Sequence, residues 1–347
     1  MTAVLGALRG CVLLAGGLKP SPLVAQSGVA TLDFTLTLGG TLMDFWMGWI
    51  SRLRDCAEVN EVAVSVVHGK ELPAPTSPIP PISPIVLTPP AASADWEGLI
   101  VGVRCEPRTY RGPAGVVRDV CLSSDGADED VFFIADAGRM LACDLALLWT
   151  AHVHEGADVT VVREASGAPS GLYLANRRSL AEIQRDGFQD IKEQWLPKVM
   201  KKGMQVRVYT FKPPAGTVAM RTREDVLSIA QRLFRESQPA GEEVAGRLAT
   251  AHDEAIRWCD VGVRLGPDNK RAGLVIIESE AAVSDEAVLV DTIVMPGAIV
   301  ERGAIVARSL VCPKGRVEAG ARVVDAIVGR NGVVCSAGVD AGAMIRR

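Results

Sequence analysis

Two short stretches carry the residue types that handle a phosphorylated ligand. Val12-Leu13-Leu14 is an apolar run of strand formers that breaks into Ala15-Gly16-Gly17-Leu18-Lys19-Pro20. Gly16 and Gly17 lack the Cβ atoms that would hold a phosphate or a base away from backbone N–H groups, and Lys19 sets a cation beside them. A glycine pair after a strand also serves as plain turn chemistry. Further on, Asp130-Val131-Phe132-Phe133-Ile134-Ala135-Asp136 is an apolar strand ending on a carboxylate, the position at which open α/β sheets hold their ligands. One carboxylate, several waters and nucleotide phosphates suffice for magnesium, so Asp136 is the candidate metal ligand. Its alternative role is to cap the turn into the helical pattern from Leu141 to His154.

A third stretch, Arg111-Gly112-Pro113-Ala114-Gly115-Val116-Val117-Arg118-Asp119, is a glycine-bracketed loop running into a helical pattern. Loops of this kind turn free N–H groups and the positive helix end toward a base or phosphate, and a tight turn with a glycine cap has the same composition. His152 and His154 sit at a helix end, where an imidazole is mildly favourable, and neither is assigned a catalytic role.

Positioning these residues requires a sheet with crossovers. Apolar side chains recur at helical spacing from Leu42 to Arg54, after Gly39-Gly40-Thr41, and Val62–Val67 and Leu99–Val103 are strand patterns. Strand, helix and strand at this spacing form a βαβ unit with a parallel sheet. Ala157–Val162 and Val206–Phe211 add strands, and the chain changes sheet edge around Ser170–Leu174. Asp190–Pro197 starts a short helix or turn, while Thr222 caps the next helix with Asp225 at the capping-box distance. The prolines between Leu72 and Ala94 forbid a helix and predict an extended surface excursion without catalytic groups.

From Ile293 the period changes. Ile293, Ile299, Ile305, Val311, Val317 and Val323 recur every six residues, and after one phase slip Ile327, Val333 and Val339 continue the series. Hexads of this kind predict a left-handed parallel β-helix, whereas hairpins would need period two. The division expected is an α/β domain over 1–236, an exposed helical connection over 237–270 and the β-helix over 271–347. Flat sides and an open end on such a prism predict a homo-oligomer.

Composition narrows the function classes. A net charge of −4 over 347 residues offers no basic field for a nucleic-acid backbone. Eight scattered cysteines without a C-x-x-C pair argue against zinc and point to a reducing cytoplasm. The apolar run after Arg9 is too short for a signal peptide, and no stretch reaches the length of a membrane span.

With Ala-Gly-Gly first, Gly-Pro-Ala-Gly next, a strand ending on Asp136, Ser170-Gly171-Leu172-Tyr173, Asp190-Ile191-Lys192-Glu193 and terminal hexads, the chain resembles the sugar-phosphate nucleotidyltransferases over nearly its whole length. The branch it resembles includes mannose-1-phosphate guanylyltransferase and glucose-1-phosphate adenylyltransferase. The resemblance implies a Rossmann-like nucleotidyltransferase domain, mostly parallel with flanking helices, ahead of the β-helix. It implies a triphosphate on Ala15, Gly16, Gly17 and Lys19, a base on Gly112, Pro113, Ala114 and Gly115, and Mg2+ on Asp136. Glu164 and Gly171 fall where the family holds the sugar. The implied reaction joins a nucleoside triphosphate to a sugar 1-phosphate and releases pyrophosphate, by positioned charge rather than a covalent nucleophile.

Three departures stand beside the resemblance. The family's first loop continues Gly-x-Gly-Thr-Arg where this chain has Gly17-Leu18-Lys19-Pro20, so Lys19 is the replacement cation. Glu-Lys-Pro becomes Glu164-Ala165-Ser166, and Ala219 aligns with a second magnesium aspartate. Arg221 and Lys212 are the candidate cations to make up the loss. A catalytically impaired nucleotide-binding or scaffold protein on the same fold is the alternative function.

Overall fold

The structure is a computed structural model describing residues 6–16, 20–68, 85–86, 97–105, 111–237, 257–259 and 270–334. In chain order it runs β1 (Leu8–Leu14), α1 (Pro22–Ser27), β2 (Thr35–Thr37), β3 (Gly40–Thr41), α2 (Leu42–Cys56), β4 (Val62–His68), β5 (Ile85–Val86) and β6 (Leu99–Cys105). Then come α3 (Gly112–Cys121), β7 (Val131–Asp136), β8 (Arg139–Ala142), α4 (Leu145–His154), β9 (Val159–Arg163), β10 (Pro169–Asn176) and α5 (Arg177–Leu180). A π-helical turn at Ile191–Trp195 leads into α6 (Leu196–Lys201), β11 (Val206–Thr210), β12 (Gly216–Ala219) and α7 (Arg223–Ser237).

The chain divides into two compact units, Met1–Lys19 with Asp44–Val218, and Pro20–Met43 with Ala219–Arg347. The first unit is built on a sheet ordered β11-β9-β10-β7-β1-β4-β6-β5. All its neighbours are parallel except where β10 and β5 pair. Near-continuous apolar runs explain why: Val131–Ala135 on β7 are all buried, as a strand covered on both faces requires. From β1 the chain steps outward through β4 and β6, then returns as β7 on the other flank of β1. The topological switch point therefore lies between Leu14 and Asp136, which are paired in register. On one face, Val12, Ile134, Val117 and Trp195 share a core. On α2, Trp46 stacks edge-on to Trp49 at 5.2 Å and tilts against Phe133. Of the proline-rich excursion, Ile85–Val86 are described, and they pair antiparallel with β6. Its remaining residues from 72 to 84 and 87 to 94 lie outside the described set.

The second unit draws in a segment assigned by sequence order to the α/β domain. Leu23 N–H donates to Arg221 O at 3.0 Å, Arg330 N–H to Ser27 O at 2.7 Å, and Gly39 N–H to Glu278 at 3.1 Å. Two backbone bonds and one to the Glu278 carboxylate thus join residues 20–43 to the segment before α7 and to the C-terminal region. Asp225 N–H donates to Thr222 Oγ1 at 3.2 Å and its carboxylate accepts from Thr222 N–H at 2.9 Å, the expected reciprocal cap of α7. Of the connection expected to be helical, the described residues Arg257–Cys259 form a strand paired parallel to Val275–Ile277.

C-terminal strands stack in parallel at a step of 17 residues, not 18: Ile299 pairs with Arg316, Ile305 with Arg322, and Leu310 with Ile327. Successive sides of the coil therefore advance by six, six and five residues. The buried series is Val283, Leu289, Val294, Val300, Val306, Val311, Val317, Val323 and Val328. A strict hexad reading drifts across this register: Val311, Val317 and Val323 point inward, whereas Ile299, Ile305 and Val333 are exposed. The short side supplies the physical reason, since each five-residue step shifts a six-residue count from one pleat face to the other. Left-handed backbone marks the corners at the same step, at Gly297 and Lys314, at Gly303 and Gly320, and at Asp291, Arg308 and Asp325. Arg308 meets Asp325 in a paired fork with Nε at 2.8 Å.

Candidate functional site

At the switch point the ends of β1 and β7 are locked together. Ala137 N–H donates to Leu14 O at 3.0 Å, and Ala15 N–H donates to Val67 O at 2.8 Å. Ala15 is half-buried and Gly16 is exposed just beyond the end of β1. Gly17 and Lys19 lie outside the described residues. The Ala137 carbonyl is held from the other side by the buried Trp46 indole, whose Nε1–H donates at 3.0 Å. Asp136 is thus carried on a turn fixed at both polar groups of its neighbour.

Its carboxylate is half-exposed. Oδ1 accepts from Gly138 N–H at 3.0 Å, a local Asx turn. It does not cap the following helix: β8 intervenes, and Asp144 caps α4 by accepting from Ala146 N–H at 2.9 Å. Oδ2 faces Arg139 Nε at 3.4 Å, within charge attraction but not aligned as a hydrogen bond, since Nε is buried with no partner among the described residues.

Arg139 gathers the rest of the site. Its Nη1 donates to Thr217 Oγ1 at 2.8 Å and lies 3.9 Å from Glu164 Oε1. Thr217 in turn donates to Glu164 through its hydroxyl and, at 3.2 Å, through its backbone N–H. The pairing of β12 with β8 brings these residues together from positions far apart in sequence. Gly171 closes the set, with φ +77. A Cβ at Gly171 would stand 2.9 Å from Asp136 Cβ and 3.2 Å from Arg139 Nε, so a side chain there would displace the pair.

Three of the residues expected from sequence, Asp136, Glu164 and Gly171, therefore meet around Arg139, and Asp136 is in register with Leu14 at the end of β1. The stretch Gly112-Pro113-Ala114-Gly115 is arranged differently from the open loop expected. It is the first turn of α3, and its contacts run to residues 184–189. Gly112 has φ +72, and a Cβ there would meet Gln189 O at 2.5 Å. Ala114 is fully buried and its N–H donates to Gln189 O at 3.0 Å. Arg111 braces this turn, donating to Gly187 O at 2.6 Å and Gln184 O at 3.1 Å and pairing with Asp119 at 3.0 Å. Pro113 fits the helix start because its missing N–H would be unpaired there anyway.

Arg139 is the member of this cluster that sequence reasoning missed. Its only signal was its place three residues after Asp136. Lys212 and Arg221, the cations singled out by sequence, are both exposed and have no recorded contact with the cluster. No thiolate competes nearby, because burial first, and then Glu164 and Asp144, push the Cys143 thiol up to about 12. Tyr173 is pushed up to about 12 as well, by burial and then Asp190 and Asp136.

Among the described residues no group of three or more His, Cys, Asp or Glu side chains stands ready for a metal. A protein-only metal cage is therefore not built around Asp136. The donor chemistry fits the less demanding case. Two carboxylates against one guanidinium leave the cluster one negative charge, and Asp136 Oδ2 has no aligned donor. One such oxygen with waters and nucleotide phosphates meets the coordination that Mg2+ needs.

Fold and site define an α/β protein with a ligand edge at the switch point of a mostly parallel sheet. No protein-family model matches the chain, and no curated protein matches it. Among solved structures, HddC from Yersinia pseudotuberculosis is similar with a TM-score of 0.44 and 13% identity, over 65% of this chain and 100% of that one. So distant a likeness carries no functional weight, and the reading below rests on this chain's own residues. No helix among the described residues is long and apolar enough to cross a membrane.

Proposed function

We propose that the protein is a sugar-phosphate nucleotidyltransferase, joining a nucleoside triphosphate and a sugar 1-phosphate into a nucleotide sugar with release of pyrophosphate. The observation that carries this is the register pair Leu14 and Asp136, which sets a half-exposed carboxylate beside the end of β1, with Glu164 and Gly171 in its contact set through Arg139. In the reaction a phosphate oxygen of the sugar 1-phosphate attacks the α-phosphorus, a new P–O bond forms, and the bond to the pyrophosphate oxygen breaks. The backbone around Gly16 binds the triphosphate, with Lys19 as the cation of that loop, and Asp136 would hold Mg2+ brought by the nucleotide. That ion supplies positive charge to the phosphates when bound. Glu164, fixed by Thr217, accepts hydrogen bonds from sugar hydroxyls, and Gly171, with no side chain, lets Asp136 and Arg139 pack against its backbone. Gly112, Ala114 and Gly115 are the least suited of the expected contacts, the first two being covered by Gln189 and the third by the Arg111 side chain. We further propose that the C-terminal coil is a left-handed β-helix, that it associates copies of the chain, and that the protein works in the cytoplasm.

A second reading has its own observation. Arg139 already neutralises much of the acidic pair, and no second carboxylate joins Asp136, which suits a protein that binds a nucleotide without turning it over. A pyrophosphate-release screen over common nucleoside triphosphates and hexose 1-phosphates, run beside calorimetry with and without magnesium, separates the two. Release supports the enzyme, binding without release supports the second reading, and neither overturns both.

A further inference from the structure

We infer that Arg139 is the specificity-determining residue that recognises the phosphate monoester of the sugar substrate. This rests on the proposed site but goes beyond it, because the cations expected there from sequence were Lys212 and Arg221. A guanidinium carries five N–H donors in a planar fork. Arg139 is only 15% exposed, yet among the described residues it makes one aligned hydrogen bond, from Nη1 to Thr217. Its Nε is buried and unmatched, and its carboxylate neighbours stand at 3.4 Å and 3.9 Å without hydrogen-bond geometry. A buried cationic donor left in this state needs an acceptor, and planar bidentate capture of phosphate is what the guanidinium fork does best. Gly171 lets the guanidinium lie close to the backbone of β10, since a Cβ there would stand 3.2 Å from Nε. Thr217 holds the far end, so the fork turns on a fixed pivot rather than swinging free. Asp136 and Glu164 flank it, so an anion that arrives without a compensating cation meets two negative charges.

The test is calorimetry on the full chain with magnesium present, using inorganic phosphate, glucose 1-phosphate, mannose 1-phosphate, the free hexoses and, separately, a nucleoside triphosphate. Wild-type protein is expected to bind a hexose 1-phosphate at least tenfold more tightly than the matching hexose. Arg139→Met should erase that preference while changing nucleotide affinity less than about threefold, and Arg139→Lys should restore part of it, with thermal melts confirming that both variants fold. If Arg139→Met does not fold, Arg139→Gln, which keeps a polar stem and removes the charge, should erase the preference in its place, and Thr217→Val, which removes the hydroxyl that Arg139 and Glu164 share, should weaken sugar-phosphate binding several-fold. Phosphate-insensitive binding or an unchanged preference in Arg139→Met overturns the inference and leaves the proposed function standing, whereas nucleotide binding with no sugar-phosphate binding overturns the inference and favours the second reading. Absence of nucleotide binding in the wild type overturns the function itself. Inorganic phosphate binding as tightly as the sugar phosphates would assign Arg139 to free phosphate and overturn its role in sugar recognition.

Discussion

Trp46 Nε1 donates to the carbonyl of Ala137 at 3.0 Å, tying α2 to the turn that carries Asp136. The indole is fully buried, so its N–H has no water to turn to, and the carbonyl has none either. Trp46→Phe keeps an aromatic ring but strands that carbonyl. A loss of about 1–3 kcal/mol in unfolding free energy is expected, the cost of an unsatisfied buried polar group, and denaturant titration measures it. A weaker nucleotide affinity should accompany it, because the Asp136 turn is loosened.

Asp136→Asn retains shape and removes the charge. Magnesium should then cease to strengthen nucleotide binding, and turnover should fall by about two orders of magnitude, the scale for removing one positioned charge. Unchanged magnesium dependence in calorimetry would move the metal away from Asp136.

Gly171→Ala meets two obstacles, a left-handed backbone angle of +77 and a Cβ only 2.9 Å from Asp136 Cβ. Left-handed backbone alone costs a non-glycine residue about 1–2 kcal/mol, and the contact adds to it. Thermal denaturation should show the loss, and Gly167→Ala, also at positive φ but with nothing within 4 Å of its Cβ, should show only the backbone part.

In the coil, the register of six, six and five makes a contrast that strict hexads do not. Val300 is 1% exposed and Ile299 is 38% exposed, though they are neighbours. Val300→Ala should cost about 1–3 kcal/mol of stability by removing buried methyl groups, and Ile299→Ala less than about 1 kcal/mol. Equal effects in chemical denaturation would contradict the inward series.

His152 supplies a pH dependence. It is 3% exposed, its Nδ1 lies 2.8 Å from Thr160 Oγ1, and burial, opposed by Asp158, lowers its pKa to about 4. The unfolded chain therefore binds a proton between about pH 6.5 and 4 that the folded chain refuses, so stability rises with pH across that window. Its contribution is complete above about pH 6.5 and is lost as the pH falls toward 4, amounting to about 2–3 kcal/mol. Unfolding titrations from pH 4 to 7 should show this slope, and it should flatten in His152→Gln.

Local pattern and turn chemistry were enough to read β1, α2, β4, β7, the capping box at Thr222 and Asp225, and the parallel character of the C-terminal strands. Each is dictated by residues close in sequence: apolar runs, helical spacing, a cap three residues from its partner. Asp136 was legible for the same reason, as a carboxylate ending an apolar strand. Arg139 was not, because its meaning depends on Thr217 and Glu164, brought to it by the pairing of β8 with β12 and by the fold of the loop after β9. The open loop expected at Gly112–Gly115 became a covered helix start only because residues 184–189 return over it. Likewise a six-residue count describes the coil until strands stack, when hydrogen-bond register imposes a 17-residue turn and decides which valines face inward. Local sequence determines which elements form, since their free energies are set within a few residues. Tertiary structure alone decides which charges meet and which faces are buried, because those depend on pairings between segments distant along the chain.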